Sequence, residues 1–156
     1  MSTLEVKAIQ APSGYNLDMP TGHIIQVVKG TDSTQTSIAS ASTYVDIGLQ
    51  AAITPKFSSS NILIFFNVGA KLHANDGYTV RLLRDSTVEW TDSGHASYYG
   101  GANWNYCKTS HYHVDTNINT TSATTYKIQA ITASGNSVDF QDNGFHSDIV
   151  LMEVSA

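Results

Sequence analysis

Residues 43–70, TYVDIGLQAAITPKFSSSNILIFFNVGA, restrict this chain to a narrow set of folds. Val45, Ile47, Leu49, Ala51 and Ile53 occupy every second position, the period of a half-buried strand. Pro55 and the polar run through Ser58, Ser59, Ser60 and Asn61 then break the pattern. The next strand alternates through Ile62, Ile64, Phe66 and Val68, yet Leu63 and Phe65 on its other face are also apolar. A strand apolar on both faces needs two covers, and the second can be another subunit. Ile24–Val28 and Ile149–Met152 repeat this double-sided pattern. Three such strands exceed what 156 residues can cover, so a symmetric oligomer is expected. Leu63, Phe65, Val150 and Met152 are the candidate interface residues.

Composition agrees with an all-β class. Glutamate occurs only at Glu5, Glu89 and Glu153, while Ser, Thr, Tyr, Val and Ile are plentiful. The length suits one domain that needs no disulfide staple. A net charge of −5, with scattered basic residues, argues against a nucleic-acid partner. Cys107 stands alone, so neither a disulfide framework nor a paired-cysteine metal knuckle is available, and a small buried hydrophobe is expected there. Residues 1–20 lack the basic start and apolar run of a secretory leader. No apolar stretch approaches the ~20 residues of a membrane-spanning helix.

Residues 1–21 form an expected extended arm, with Leu4, Val6 and Ile9 as its apolar contacts and Pro12 and Pro20 as breaks. Residues 22–156 form the expected globular domain, an antiparallel jelly-roll sandwich of about eight to ten strands. Gly30–Ser42 reads as a long loop. Asn75-Asp76-Gly77 reads as a hairpin turn, and Asp85-Ser86 as a second turn before Thr87.

Several segments resemble one family. Ser2–Gln10 is similar to the opening of fibre and appendage proteins of marine tailed bacteriophages. Gly22–Val28, "TYVDIGLQAAITPKFSSSNILI", "RLLRDST", "TTSATTYKIQA" and "IVLMEV" resemble a module carried by the same proteins. The resemblance implies a homotrimeric jelly roll of the complement-globular-head and tumour-necrosis-factor-like kind, with the C-terminal strand near the threefold axis. It also implies a non-enzymatic virion protein, made in the host cytoplasm and anchored to a capsid, collar or tail protein. The chain is short for a fibre, which favours a capsid decoration, head fibre, collar or tail-tip element.

Three patterns invite a chemical reading. His111 and His113 share one strand face, the arrangement used by cupin metal sites, but no glutamate follows and His146 is the sole further histidine downstream. Solvent-facing histidines are the expectation, with no metal and no cofactor. Glu89, Asp92, Asp139 and Asp142 carry the groups of a glycosidase pair, yet no pattern brings two of them together. The Gly-rich segment 94–106 holds Tyr98, Tyr99, Trp104 and Tyr106. Flat aromatic faces with polar tips suit a host-surface glycan or a protein partner, so these four are the candidate binding residues of a carbohydrate-binding adhesion module.

Overall fold

The computed structural model describes residues 20–156. The expected arm contacts Leu4, Val6 and Ile9 lie outside the described residues. The strands are β1 (Ile24–Asp32), β2 (Thr36–Ile38), β3 (Val45–Ile53), β4 (Asn61–His73), β5 (Asp76–Arg84), β6 (Thr87–Thr91), β7 (Ser97–Tyr99), β8 (Trp104–Asp115), β9 (Thr124–Thr132), β10 (Val138–Phe140) and β11 (Ser147–Val154). A single 3-10 turn covers Asp142–Gly144.

Eight long strands form two antiparallel sheets in the orders β1-β11-β4-β8 and β3-β9-β5-β6. The chain crosses between sheets from β1 to β3, β3 to β4, β4 to β5, β6 to β8, β8 to β9 and β9 to β11, which is the winding of a jelly roll. Three short strands are appended. β10 follows β11 along one side of β4 and carries β2, while β7 pairs with β5.

The alternation seen in the sequence sets the inner layer. Ile47, Leu49 and Ile53 from β3 share one core with Ile62, Ile64 and Phe66 from β4, all essentially inaccessible to solvent. Tyr78 and Leu82 from β5, with Tyr126 and Ile128 from β9, complete the inner layer of the sheet that holds β3. Each such side chain contributes roughly 1.5–3 kcal/mol on burial. The sandwich therefore does not need the outer-face residues in order to fold. Cys107 packs against this core half-buried, and burial pushes its thiol up from the ordinary value.

Two expectations are corrected. Asn75-Asp76-Gly77 is not a hairpin, because β4 and β5 belong to different sheets and the turn is an arch between them. Its positive φ falls on Asn75, while buried Asp76 Oδ1 accepts the amides of Ala133 and Ser134 at the end of β9. That carboxylate pulls the turn onto the second sheet. Gly77 is required for space, since a Cβ there would run into the Ser97 carbonyl. Second, Gly30–Ser42 is not all loop: β1 continues to Asp32, and β2 pairs with β10 through Ile38 opposite Val138. The Asp85-Ser86 turn is present as read, with Asp85 at φ 53.

Both ends of the described chain meet at one end of the sandwich. Gly22 N donates to Ser155 O at 2.9 Å, and Ser155 N donates to His23 O at 3.0 Å. Two buried carboxylates organise the rest. Glu153, on β11, accepts Lys56 N, Phe57 N, Ser60 Oγ and Gln26 Nε2, fixing the β3–β4 connection. Asp115, on β8, is held by Arg84 and Tyr126 from the facing sheet.

Candidate functional site

The outer face of the β1-β11-β4-β8 sheet carries the notable surface features of the molecule. Strand register aligns Val27, Met152, Leu63 and Val114 in one row across all four strands. The next row is Lys29, Val150, Phe65 and Tyr112. Leu63, Phe65, Val150 and Met152, expected to share an interface, thus form one contiguous cluster. Val27 is 56%, Phe65 45% and Tyr112 73% exposed.

β8 inverts the usual polarity of a sandwich strand. Its apolar set, Trp104, Tyr112 and Val114, points outward, while Thr109, His111 and His113 point between the sheets, opposite Val68, Phe66 and Ile64. An outward apolar parity on an edge strand adds to the patch rather than to the core.

A polar row closes the patch on one side: Thr31, Asp148, Asn67 and Ser110. Burial alone would push the Asp148 carboxyl up, but Lys29, Thr31 and Asn67 outweigh it and hold the group down at about 2, against an ordinary 3.8. A carboxyl depressed in the folded state adds stability above its unfolded value and loses it as pH falls through the folded one. Asp148→Asn is therefore expected to cost on the order of 1 kcal/mol at pH 7, reduced by solvent screening at exposed Lys29. The difference from the parent should vanish between about pH 4 and pH 2, as read by urea denaturation across that range.

Beyond the polar row, the far end of the same face is aromatic and charged. Trp104 lies opposite His73, and Tyr106 opposite Lys71. Tyr106 packs edge-on to Trp104 at 5.2 Å and stacks on Phe145 at 5.1 Å, with its hydroxyl donating to Asp142 Oδ2. Gly69 leaves room for Phe145, whose Cβ would lie 3.1 Å from an added side chain. Lys71 Nζ sits 5.6 Å from the Trp104 ring centre, 3.5 Å from Asp142 Oδ2 and 3.9 Å from Asp139 Oδ2. His73 Nε2 lies 2.9 Å from Asp139 Oδ2, so this nitrogen carries the proton. Burial pushes the Asp139 carboxyl up, yet bonds from His73 and Ser37 outweigh it and hold the group below the usual range.

The four aromatics expected to act together are divided. Trp104 and Tyr106 form the cluster just described, whereas Tyr98 sits beside His95 and Tyr99 packs against the core. The residues that complete the cluster, Lys71, His73, Asp139, Asp142 and Phe145, come from distant segments and carry no local sequence signal.

His111 and His113 are not solvent-facing as expected. His111 stacks on Phe66 at 5.0 Å beside Trp90, and desolvation lowers its pKa, with Asp92 opposing. His146 stands on the outer face, 3.4 Å from Asp148. Among the described residues, no group of three or more His, Cys, Asp or Glu side chains is placed to hold a metal ion. No helix among them is long and apolar enough to cross a membrane. Glu89 lies 2.7 Å from Arg84 Nη2, while Asp139 and Asp142 share Lys71.

No family model matches the chain, and no curated protein matches it in sequence. In fold it is similar to the infectious bursal disease virus VP2 subviral particle, with a TM-score of 0.50 and 16% identity over 97% of this chain and 42% of that one. The likeness is one of fold. The T13 particle of the same virus aligns at a TM-score of 0.47 and 15% identity, over 97% of this chain and 40% of that one. The chain thus spans about two fifths of the length of these viral chains.

Proposed function

We propose that the chain is a non-enzymatic structural component of a tailed-bacteriophage virion, a homotrimeric decoration, head fibre, collar or tail-tip element. The observation that carries this reading is the apolar patch of one row across four strands and a second across β11, β4 and β8, rimmed by Lys29 and the polar row as a subunit interface is. Copies of the chain bury Leu63, Phe65, Val150 and Met152 against one another, and β11 stands in the middle of that sheet, as a strand near a threefold axis requires. Residues 1–21 supply the link to another virion protein. The fold likeness to a viral-particle protein and the resemblance to phage appendage modules support the same role.

Light scattering coupled to size-exclusion chromatography tests it. The parent protein is expected at three times the protomer mass. Phe65→Asp with Met152→Asp is expected to raise the trimer dissociation constant at least ~100-fold, because like charges facing across an interface cost several kcal/mol. The far-ultraviolet dichroism should be unchanged, since neither residue belongs to the core. A monomeric parent overturns the proposal.

A further inference from the structure

We propose that the Trp104 end of the outer face is a binding site for a short neutral glycan, a reading independent of self-association. A shallow depression of about 520 Å³ is lined by His73, Ala74, Ala102, Asn103, Asn136 and Ser137; Trp104 adjoins it, following Asn103 in the chain and lying opposite His73 across the β4–β8 pair. That volume falls within the range of small-ligand sites. Trp104 stays 55% exposed although it is among the largest side chains of the molecule. It is not loose: Tyr106 supports it edge-on, and Tyr106 is itself clamped between Phe145 and Asp142. A rigid, exposed aromatic plane at the lip of a polar depression suits a ligand with one apolar face and a hydroxyl-bearing edge. The Trp104 plane takes the C–H face of a sugar ring; the Asn103 amide donates to and accepts from its hydroxyl groups, while Asn136 Oδ1 and Ser137 Oγ, whose protons are already donated to Ala74, Ser134 and Asp139, accept from them.

The local charge selects a neutral ligand. Lys71 is paired with Asp139 and Asp142, and Asp139 also holds His73. Two carboxylates share this one lysine and are otherwise held by hydrogen bonds from His73, Ser37 and Tyr106, so an anionic ligand meets no free cation and faces the excess carboxylate. The remaining polar groups of the depression, Asn103, Asn136 and Ser137, are uncharged donors and acceptors matched to hydroxyls.

The full chain should be screened on an array of neutral, sialylated and sulfated glycans, whose density compensates for the weak affinity of one shallow site. The best neutral binder is then titrated into protein labelled with nitrogen-15 at tryptophan. The Trp104 indole resonance is expected to move while that of Trp90, on the other side of the sheet, stays. Trp104→Ala should weaken binding at least ~10-fold and Trp104→Phe far less, with the oligomeric mass unchanged in both. Binding confined to charged glycans, no binding above background, or full binding by Trp104→Ala would each overturn the proposal.

Discussion

Arg84→Ala is expected to lower the unfolding free energy by about 3–5 kcal/mol, the cost of leaving a buried carboxylate without its cation. Arg84 Nη1 donates to both oxygens of Asp115, at 3.2 and 2.9 Å, and to Asn117 O at 2.8 Å. The Asp115 side chain is 1% exposed, so water cannot replace the guanidinium. Tyr126 OH also donates to Asp115 at 2.7 Å, and burial with that carboxylate pushes the Tyr126 hydroxyl well above its ordinary range. These groups come from β5, β8 and β9, so the cluster ties the two sheets together. Urea denaturation at one fixed protomer concentration measures the loss without confounding it with assembly. Adding Asp115→Asn to Arg84→Ala should recover part of the stability, since the stranded charge goes with it. A loss under about 1 kcal/mol for Arg84→Ala would show that the ion pair only breaks even.

Glu153→Ala should cost about 3 kcal/mol, because it strands the buried Ser60 hydroxyl and three part-buried donors, at up to one to three each. Its Oε1 accepts Lys56 N at 2.8 Å, Phe57 N at 3.1 Å and Ser60 Oγ at 2.8 Å, and its Oε2 accepts Gln26 Nε2 at 2.6 Å. All four partners are donors, which is what an ionised carboxylate requires and an amide cannot fully match. Glu153→Gln is therefore expected to fall between the parent and the alanine variant. The damage has a local signature as well. Hydrogen exchange at the Lys56 and Phe57 amides should accelerate in Glu153→Ala beyond the increase seen at core amides of β9. Uniform acceleration instead would place the role of Glu153 in the whole sheet rather than in the 54–60 connection.

The long strands were legible because each has a partner-independent signature. Alternation in β3 and β9 fixes which side chains face inward, the unbroken apolar runs of β4 and β11 mark them as strands covered twice, and Asp85-Ser86 closes β5 onto β6 within its own sequence. The short strands β2 and β7 were not. β2 exists because Ser37 meets Asp139, 102 residues away, and no local pattern encodes such a pairing. The Asn75-Asp76-Gly77 turn was visible but its direction was not, since Asp76 finds its partners at residues 133 and 134. β8 misled through its polarity: a rule that turns apolar residues inward places His111 and His113 outside, whereas the patch on the outer face holds the apolar parity there. Segment 94–106 pointed to Tyr98, Tyr99, Trp104 and Tyr106 as one set, of which only Trp104 and Tyr106 pack together. The polar half of their cluster depends on β4, β10 and the 3-10 turn arriving beside them.

The placement of the chain's entry point also has a mechanical meaning. Pro20 and His23 sit beside Ser155 at the Asn61 end of β4, while Trp104 sits opposite His73 at its other end. Thirteen extended residues separate them, roughly 40 Å along the strand axis. Tension between residues preceding Pro20 and anything held at Trp104 would run parallel to the strands. It would load the eight register pairs joining β1 to β11 together, in shear, instead of peeling them open one after another. A domain strung in that direction resists being pulled off its mount more strongly than its thermodynamic stability alone would indicate.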